Sequence, residues 1–474
     1  MEQTKRYFFC GIGGSGMLPL ALIARARGHH VSGSDRSRDQ GLATEKFAWL
    51  ETQGITLFPQ DGSGVTAPEQ VIVASGAIED SVPDIAAARE LGCRRITRAD
   101  LNSTMFNAAK EPVGVAGTSG KSTVTAMVAW ILHCAGGDPT VMNGAIMPNF
   151  ADAAHPFANS VISANARKDR CHYYVSEVDE SDGSIGLYRP YIGILTNCTL
   201  DHKSLSELHN LFYNYLRLSR VCIINADDPE SMILTADEIL GFDVISYGFA
   251  EDAKLRATDY VPGETSSRFT VVSGITSFDA TLPMPGRHNV SNALAAITAT
   301  RALGISPEIA VEALAQFKGI ARRHEIVGTA NGITVIDDFA HNPDKVAATL
   351  ATLTEQFGTK PRGRLLIFFQ PHGYGPLRQM GAELAAAFAA GMRESDKLFV
   401  CDPVYFGGTV DRSVGSKAFV ADVITDGGYA VYMSERASCG EAIVNEARSG
   451  DRILILGARD DTLSDFAREV LARL

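Results

Sequence analysis

Short apolar runs alternate along this chain with longer stretches whose apolar positions recur at helical spacing. That is the pattern of strands joined by crossover helices in parallel sheets. Up to residue 100 it predicts strands at 7–11, 30–34, 71–75 and 95–97, with helices over 17–27 and 83–91 and a further helix after residue 97. Residues 108–112 read as a linker. An apolar run from Val113 then opens a second unit, with strands expected at 173–178, 192–196 and 221–225. Between 248 and 284 the pattern shortens to β-like segments, and helices resume at 289–303 and 307–316. A third unit begins near Ala321, with strands at 334–337, 364–369, 397–401 and 452–456 separated by helices. The expectation is an α/β chain of three consecutive domains. They are a Rossmann-like domain over 1–108, a central phosphate-loop domain over 109–320 and a Rossmann-like C-terminal domain over 321–474.

The most informative stretch is Val113-Gly-Val-Ala-Gly-Thr-Ser-Gly-Lys-Ser-Thr-Val-Thr125. An apolar run enters a glycine-rich turn, and a helix expected over 124–135 follows. Amides in such a turn lack helical partners and sit at the positive end of the helix, so they cradle phosphate oxygens. Gly117, Thr118, Ser119, Gly120, Lys121, Ser122 and Thr123 are the ATP-binding candidates. Lys121 adds a charge for the β- and γ-phosphates, and Ser122 a hydroxyl for Mg²⁺. The general pattern wants glycine where Val115 stands, so this is the compact Gly-Thr-x-Gly-Lys-Ser form.

A second glycine turn, Gly11-Ile-Gly-Gly-Ser-Gly16, lies between the first predicted strand and helix. Asp35 ends the next strand at the spacing of an acid that reaches a ribose hydroxyl. Alone, this fingerprint fits a nicotinamide dinucleotide or the diphosphate of a nucleotide sugar. Glu177-Val-Asp-Glu-Ser-Asp182 follows a predicted strand, so its carboxylates emerge where ligands bind in open α/β sheets. Glu177 suits a hard cation beside phosphates. Thr196-Asn-Cys-Thr-Leu-Asp-His202 ends another strand, and Asn289 reads as a helix cap.

Taken together, these motifs resemble the Mur ligase family, ATP-dependent enzymes that form amide bonds, and within it the alanine-adding members. Gly11 to Gly16, Val-Ser-Gly-Ser-Asp35, Val73-Ala-Ser-Gly-Ala-Ile78 and Thr97-Arg-Ala-Asp100 carry the resemblance in the first domain. It implies that Gly11, Gly13, Gly14, Ser15, Gly16, Asp35 and Ser75 hold a UDP-N-acetylmuramate-type sugar nucleotide. It further implies metal ligation by Ser122, Glu177 and His202, and adenine contact by Asn292 in Gly286-Arg-His-Asn-Val-Ser-Asn292. Arg323, in Arg322-Arg-His-Glu325, and Asp338 and His341, in Asp337-Asp-Phe-Ala-His-Asn-Pro343, are implied to serve ATP. The implied catalytic set is Lys121, Glu177, His202, Arg323, Asp338 and His341, with ATP and Mg²⁺ required. The expected reaction is carboxylate activation as an acyl phosphate, followed by attack of an amine, L-alanine foremost, in peptidoglycan synthesis.

The match weakens after residue 343. Phe369-Gln-Pro-His372 agrees with the alanine-adding members, which continue with arginine, tyrosine and further arginines. Here the chain reads Gly373-Tyr-Gly-Pro-Leu-Arg378. His372 and Arg378 are the candidates for the amine substrate. Gly457-Ala-Arg-Asp-Asp461 departs from the usual Gly-Ala-Gly-Asp, and Ser119 stands where most close relatives have histidine. Either the amine is not free L-alanine, or a residue such as Arg378 or Arg459 replaces the lost arginine. A ligase that joins an intact tripeptide to the same sugar nucleotide is the main alternative. A silent sugar-nucleotide-binding homologue and a nicotinamide-dependent oxidoreductase are more distant ones.

Bulk properties fit this reading. The chain has 474 residues and a net charge of −12, which argues against a general nucleic-acid binder. No apolar span long enough for a membrane and no cleavable leader stand out, so a cytoplasmic protein acting on small molecules is expected. The eight cysteines are scattered singly, without zinc or redox spacing, and read as buried free thiols.

Overall fold

The computed structural model describes residues 4–76, 78–166, 171–199, 203–235, 243–357, 363–404, 411–458, 460 and 462–474. Among these the strands build three sheets, of five, ten and six strands, with helices between most successive parallel strands. The architecture is α/β throughout, as the alternating pattern implies.

The chain divides into two compact units, residues 1–261 with 266–320, and residues 262–265 with 321–474. The first unit holds two sheets. In the five-stranded sheet the order is Thr56–Phe58, His30–Ser34, Arg6–Cys10, Gln70–Ala74, Arg94–Thr97, all parallel. The order reverses beside Arg6–Cys10, and at such a switch point the strand ends splay and leave a crevice for a ligand. The glycine turn 11–16 leaves from that strand.

In the ten-stranded sheet the parallel core runs Asp243–Gly248, Val221–Asn225, Ile192–Leu195, Glu111–Ala116, Tyr173–Glu177, Thr140–Met142. Strands Ser267–Ser273 and Thr276–Leu282 extend one edge as an antiparallel hairpin. Register sets the site: Ala116 pairs with Leu195, and Val115 with Glu177. The residues that follow these central strands therefore emerge side by side at the strands' carboxyl ends.

Helix Lys121–Cys134 follows the phosphate loop and is buried along nearly its whole length, with Val124, Met127, Val128 and Ile131 at 0% exposure. It shares a core with helix Arg287–Ala302. Each such side chain contributes about 1.5–3 kcal/mol on burial, which anchors the loop's base.

The second unit's sheet runs Glu325–Ala330, Ile333–Asp338, Arg452–Gly457, Leu365–Gln370, Lys397–Val400, Ala430–Tyr432. Neighbouring strands pair in parallel except the first two, which are antiparallel. Cores lie on both faces of this sheet, around Leu350, Phe369 and Phe388 on one side and Phe368, Ile443 and Phe466 on the other.

Several boundaries differ from the sequence pattern. The helix expected over 124–135 begins three residues earlier at Lys121, because Gly120 at φ +86° caps it. The expected linker at 108–112 is shorter, because the ladder already starts at Glu111, whose amide donates to His172 O at 2.8 Å. Asn289 does not cap its helix: Gly286 does, and the Asn289 side chain donates through Nδ2 to Pro285 O at 2.7 Å. Among the described residues no helix is long and apolar enough to cross a membrane. The eight cysteines are free, six of them buried.

Candidate active site

The turn after strand Arg6–Cys10 is pinned to its neighbour: the amides of Gly11 and Ile12 both donate to Ser34 O, at 2.9 and 3.0 Å. Gly14 and Ser15 are exposed at its crest, with Gly13 buried beneath. Asp35 serves the turn itself. Its Oδ2 accepts from Gly13 N at 2.8 Å and its Oδ1 from Ser37 N at 2.9 Å, where it caps helix Arg36–Asp39. Ser75 follows strand Gln70–Ala74, and its carbonyl accepts from Ile78 N. One cation is close that the sequence reading did not single out: the guanidinium of Arg98 lies against Gly16 and reaches Asp179 at 3.7 Å. Ser15 O accepts from Asn159 at 3.2 Å.

The phosphate loop is laced to the end of strand Ile192–Leu195. Thr196 Oγ1 donates to Ser119 O at 2.6 Å, and Asn197 Nδ2 donates to the same oxygen at 3.1 Å. Asn197 Oδ1 accepts from Ser119 N at 2.9 Å and from Thr118 Oγ1 at 2.6 Å. Rigid support of this kind is what a preorganised phosphate cradle requires. Lys121 folds back over the loop, its Nζ donating to Gly117 O at 2.5 Å and to Glu180 at 2.9 and 3.2 Å. Ser122 and Thr123 are buried at the helix start.

Glu177 ends strand Tyr173–Glu177, and its Oε1 accepts from Gly144 N at 2.5 Å. The preceding residue, Asn143, donates to Ser122 O at 3.2 Å. One dipeptide thus ties the Ser122 backbone and the Glu177 carboxylate together. A hydroxyl and a carboxylate beside a phosphate loop are the hard oxygen donors Mg²⁺ takes. His202 lies outside the described residues.

Beside the loop is a pocket of about 330 Å³, lined among others by Ser119, Gly120, Asn197, Phe249, Arg287 and Asn292. Asn292 Nδ2 lies 3.4 Å from Asn289 Oδ1. The Arg287 guanidinium stands 3.5 Å over the Phe249 ring. The amides of Phe249 and Ala250 bond the Asp227 carboxylate at 2.8–3.0 Å, which fixes that wall. Arg287 was visible within its motif, whereas Phe249 belongs to none.

In the second unit, Arg322 and Arg323 part ways. Arg322 turns inward to Gly457 O at 2.7 Å, Asp460 O at 3.1 Å and Asp337 at 3.4 Å. Arg323 lies 4.9 Å over the Phe339 ring. Asp338, buried at the end of strand Ile333–Asp338, accepts from Ala340 N at 2.8 Å, Thr349 Oγ1 at 3.2 Å and His324 N at 2.7 Å. His341 and His372 meet edge to face at 4.8 Å. Burial, with the charge of Lys345 next, pushes His341 down to about 2. Its Nδ1 lies 2.7 Å from Phe339 O, so a neutral ring donates there and keeps Nε2 as an acceptor. Arg378 is half exposed and bonds Asp411 through the backbone carbonyl and the carboxylate, each at 3.1 Å.

The chain belongs to the Mur ligase family. Its residues 6–110 match the Mur ligase family catalytic domain, 115–300 the Mur ligase middle domain and 322–459 the Mur ligase glutamate ligase domain. It is 33% identical over 477 residues to the UDP-N-acetylmuramate–L-alanine ligase of Thermobifida fusca, covering 98% of this chain and 95% of that protein. To the ligase of the same name from Nitratidesulfovibrio vulgaris strain DP4 it is 35% identical over 394 residues, 82% of each chain. The structure is similar to that of the UDP-N-acetylmuramate-alanine ligase of Thermotoga maritima, with a TM-score of 0.78 and 26% identity, covering 99% and 98% of the two chains. A murein peptide ligase from Psychrobacter arcticus shares the fold at a TM-score of 0.73 and 24% identity, covering 99% of this chain and 98% of that one.

Proposed function

We propose that the chain is an ATP-dependent ligase that joins the carboxylate of UDP-N-acetylmuramate to an amino acid, L-alanine foremost, in peptidoglycan synthesis in the cytoplasm. The observation that carries the reading is the register of the ten-stranded sheet. It gathers the phosphate loop, the Glu177 carboxylate and the Thr196–Asn197 brace at the carboxyl ends of three neighbouring strands. In this reading turn 11–16, with Ser75, receives the sugar nucleotide. Gly117 to Thr123 hold the ATP phosphates, and Asn292 contacts adenine.

Lys121 stabilises the γ-phosphoryl group as a carboxylate oxygen of the sugar nucleotide attacks it. The bond from the γ-phosphorus to the bridging oxygen breaks, ADP departs and an acyl phosphate forms. The neutral amine then attacks the acyl carbon, loses a proton, and phosphate leaves as the amide forms. Ser122, Glu177 and His202 would hold Mg²⁺, which when bound neutralises phosphate charge. Arg323, Asp338 and His341 are assigned to ATP, and His372 and Arg378 to the amine substrate.

One observation favours a second amine. Gly373 stands where alanine-adding members carry arginine, and its φ of +150° suits glycine. A free amino acid thereby loses one carboxylate clamp, whereas a tripeptide offers further groups to hold. The test is phosphate release from ATP and Mg²⁺ with UDP-N-acetylmuramate, comparing L-alanine, glycine, L-serine and the cell-wall tripeptide. Release that needs both the sugar nucleotide and L-alanine supports the first reading, and dependence on the tripeptide supports the second. Sugar-nucleotide binding without release for any amine overturns both.

A further inference from the structure

Lys121 has a carboxylate partner that the family assignment of ATP to this loop does not account for. Both oxygens of Glu180 lie within hydrogen-bond distance of its Nζ, and the two side chains are only 18% and 8% exposed. Glu180 follows the same strand end three residues beyond Glu177, and Lys121 donates to both of its carboxylate oxygens. A lysine stem has four rotatable bonds, so an unpartnered ammonium would spread over many positions. The pair, together with Gly117 O, reduces these to one, over the loop. The same carboxylate is a fixed negative charge close to where anionic phosphates must approach, in a place where solvent screens little.

We propose that Glu180 is a positioning residue for Lys121: it fixes the ammonium for phosphoryl transfer and competes with the nucleotide phosphates for it. Glu180 therefore weakens nucleotide binding while raising the rate of the chemical step. This rests on the assignment of Lys121 to the ATP phosphates.

The test uses the full chain, with ADP affinity measured by calorimetry and kcat and KM for ATP by phosphate release. Glu180→Gln removes the charge and keeps an acceptor. It should tighten ADP binding by roughly 5–10-fold and lower kcat by about tenfold or more. Glu180→Asp keeps the charge one methylene short, so kcat should fall without tighter ADP binding. Melting curves report whether each variant folds, and if Glu180→Gln does not, Glu180→Asp carries the test. Unchanged kcat in either variant, or ADP binding no tighter in Glu180→Gln, overturns the proposal. Lys121→Ala separates the two ideas. If it binds ADP and turns over like the wild type, the assignment of Lys121 fails; if it loses both while the Glu180 variants behave as wild type, only the role of Glu180 fails.

Discussion

Gly120 faces Asn292 so closely that a β-carbon at position 120 would lie 2.6 Å from Asn292 Oδ1. This glycine is also in the left-handed region at φ +86°, where a side chain costs about 1–3 kcal/mol. The contact places the cap of the phosphate-loop helix against the residue assigned to adenine. Gly120→Ala should therefore push Asn292 aside and strain the loop together. The expected result is a KM for ATP raised about tenfold or more, with a smaller change in KM for the sugar nucleotide. Equal effects on both substrates would count against the assignment of Asn292.

A similar closeness joins Gly144 and Glu177. A β-carbon on Gly144 would come within 3.1 Å of Glu177 Oε1, and the hydrogen bond from Gly144 N to that oxygen would have to lengthen. Gly144 is exposed and its φ is not in the left-handed region, so Gly144→Ala should leave the fold nearly intact. If Glu177 holds Mg²⁺, this variant should need about tenfold more Mg²⁺ for half-maximal activity and recover at saturating metal. A Mg²⁺ titration with an unchanged midpoint would remove Glu177 from the metal site.

The two glycine turns and the acidic strand end were legible because their signals are local: an apolar run, a turn, then a helix or a carboxylate. What surrounds them was not. Thr196 and Asn197 brace Ser119 from 77 and 78 residues away, and Glu180 meets Lys121 across 59. These contacts are created by the order of parallel strands in the sheet, which leaves no local trace. Phe249 was missed for the same reason, whereas Arg98 stood inside Thr97-Arg-Ala-Asp100 and only its approach to Gly16 was hidden. Strand Glu325–Ala330 escaped the pattern because it is an edge strand with a register shift between Ile326 and Gly328, and Ile326 is exposed. The three-residue strands Thr56–Phe58, Thr140–Met142 and Ala430–Tyr432 are too short to show a period.

His341 sets a pH dependence of stability with a definite sign. Burial first, then the charges of Lys345, His372 and Arg323, lower it from 6.5 to about 2, against the bond to Phe339 O. The unfolded chain takes up this proton near pH 6.5 and the folded chain does not. The stabilisation is therefore fully present above 6.5 and is lost as pH falls from there toward 2, by up to about 1.4 kcal/mol per pH unit. Between pH 7.5 and 5 the wild type should lose up to about 2 kcal/mol more than His341→Asn in denaturant unfolding. Parallel losses in the two proteins would show that His341 is not held neutral. The neutral ring also predicts that kcat shows no limb from His341 between pH 5 and 8.

Arg378 is the one arginine that remains in the altered stretch after His372, and its geometry lets its substrate role be separated from a structural one. Its ion pair with Asp411 joins side chains 43% and 59% exposed. Such pairs contribute about 0–1 kcal/mol to stability, so Arg378→Ala should melt within a few degrees of the wild type. A hydrogen bond from a guanidinium to a substrate carboxylate is worth about 1.5–3 kcal/mol, which corresponds to a rise in KM for the amine of roughly tenfold or more. Arg378→Lys should recover little, because an ammonium cannot make the paired contact. KM for ATP should stay constant in both variants. If KM for L-alanine and for the tripeptide are both unmoved, the amine is held elsewhere, and Arg378 belongs to the surface with Asp411.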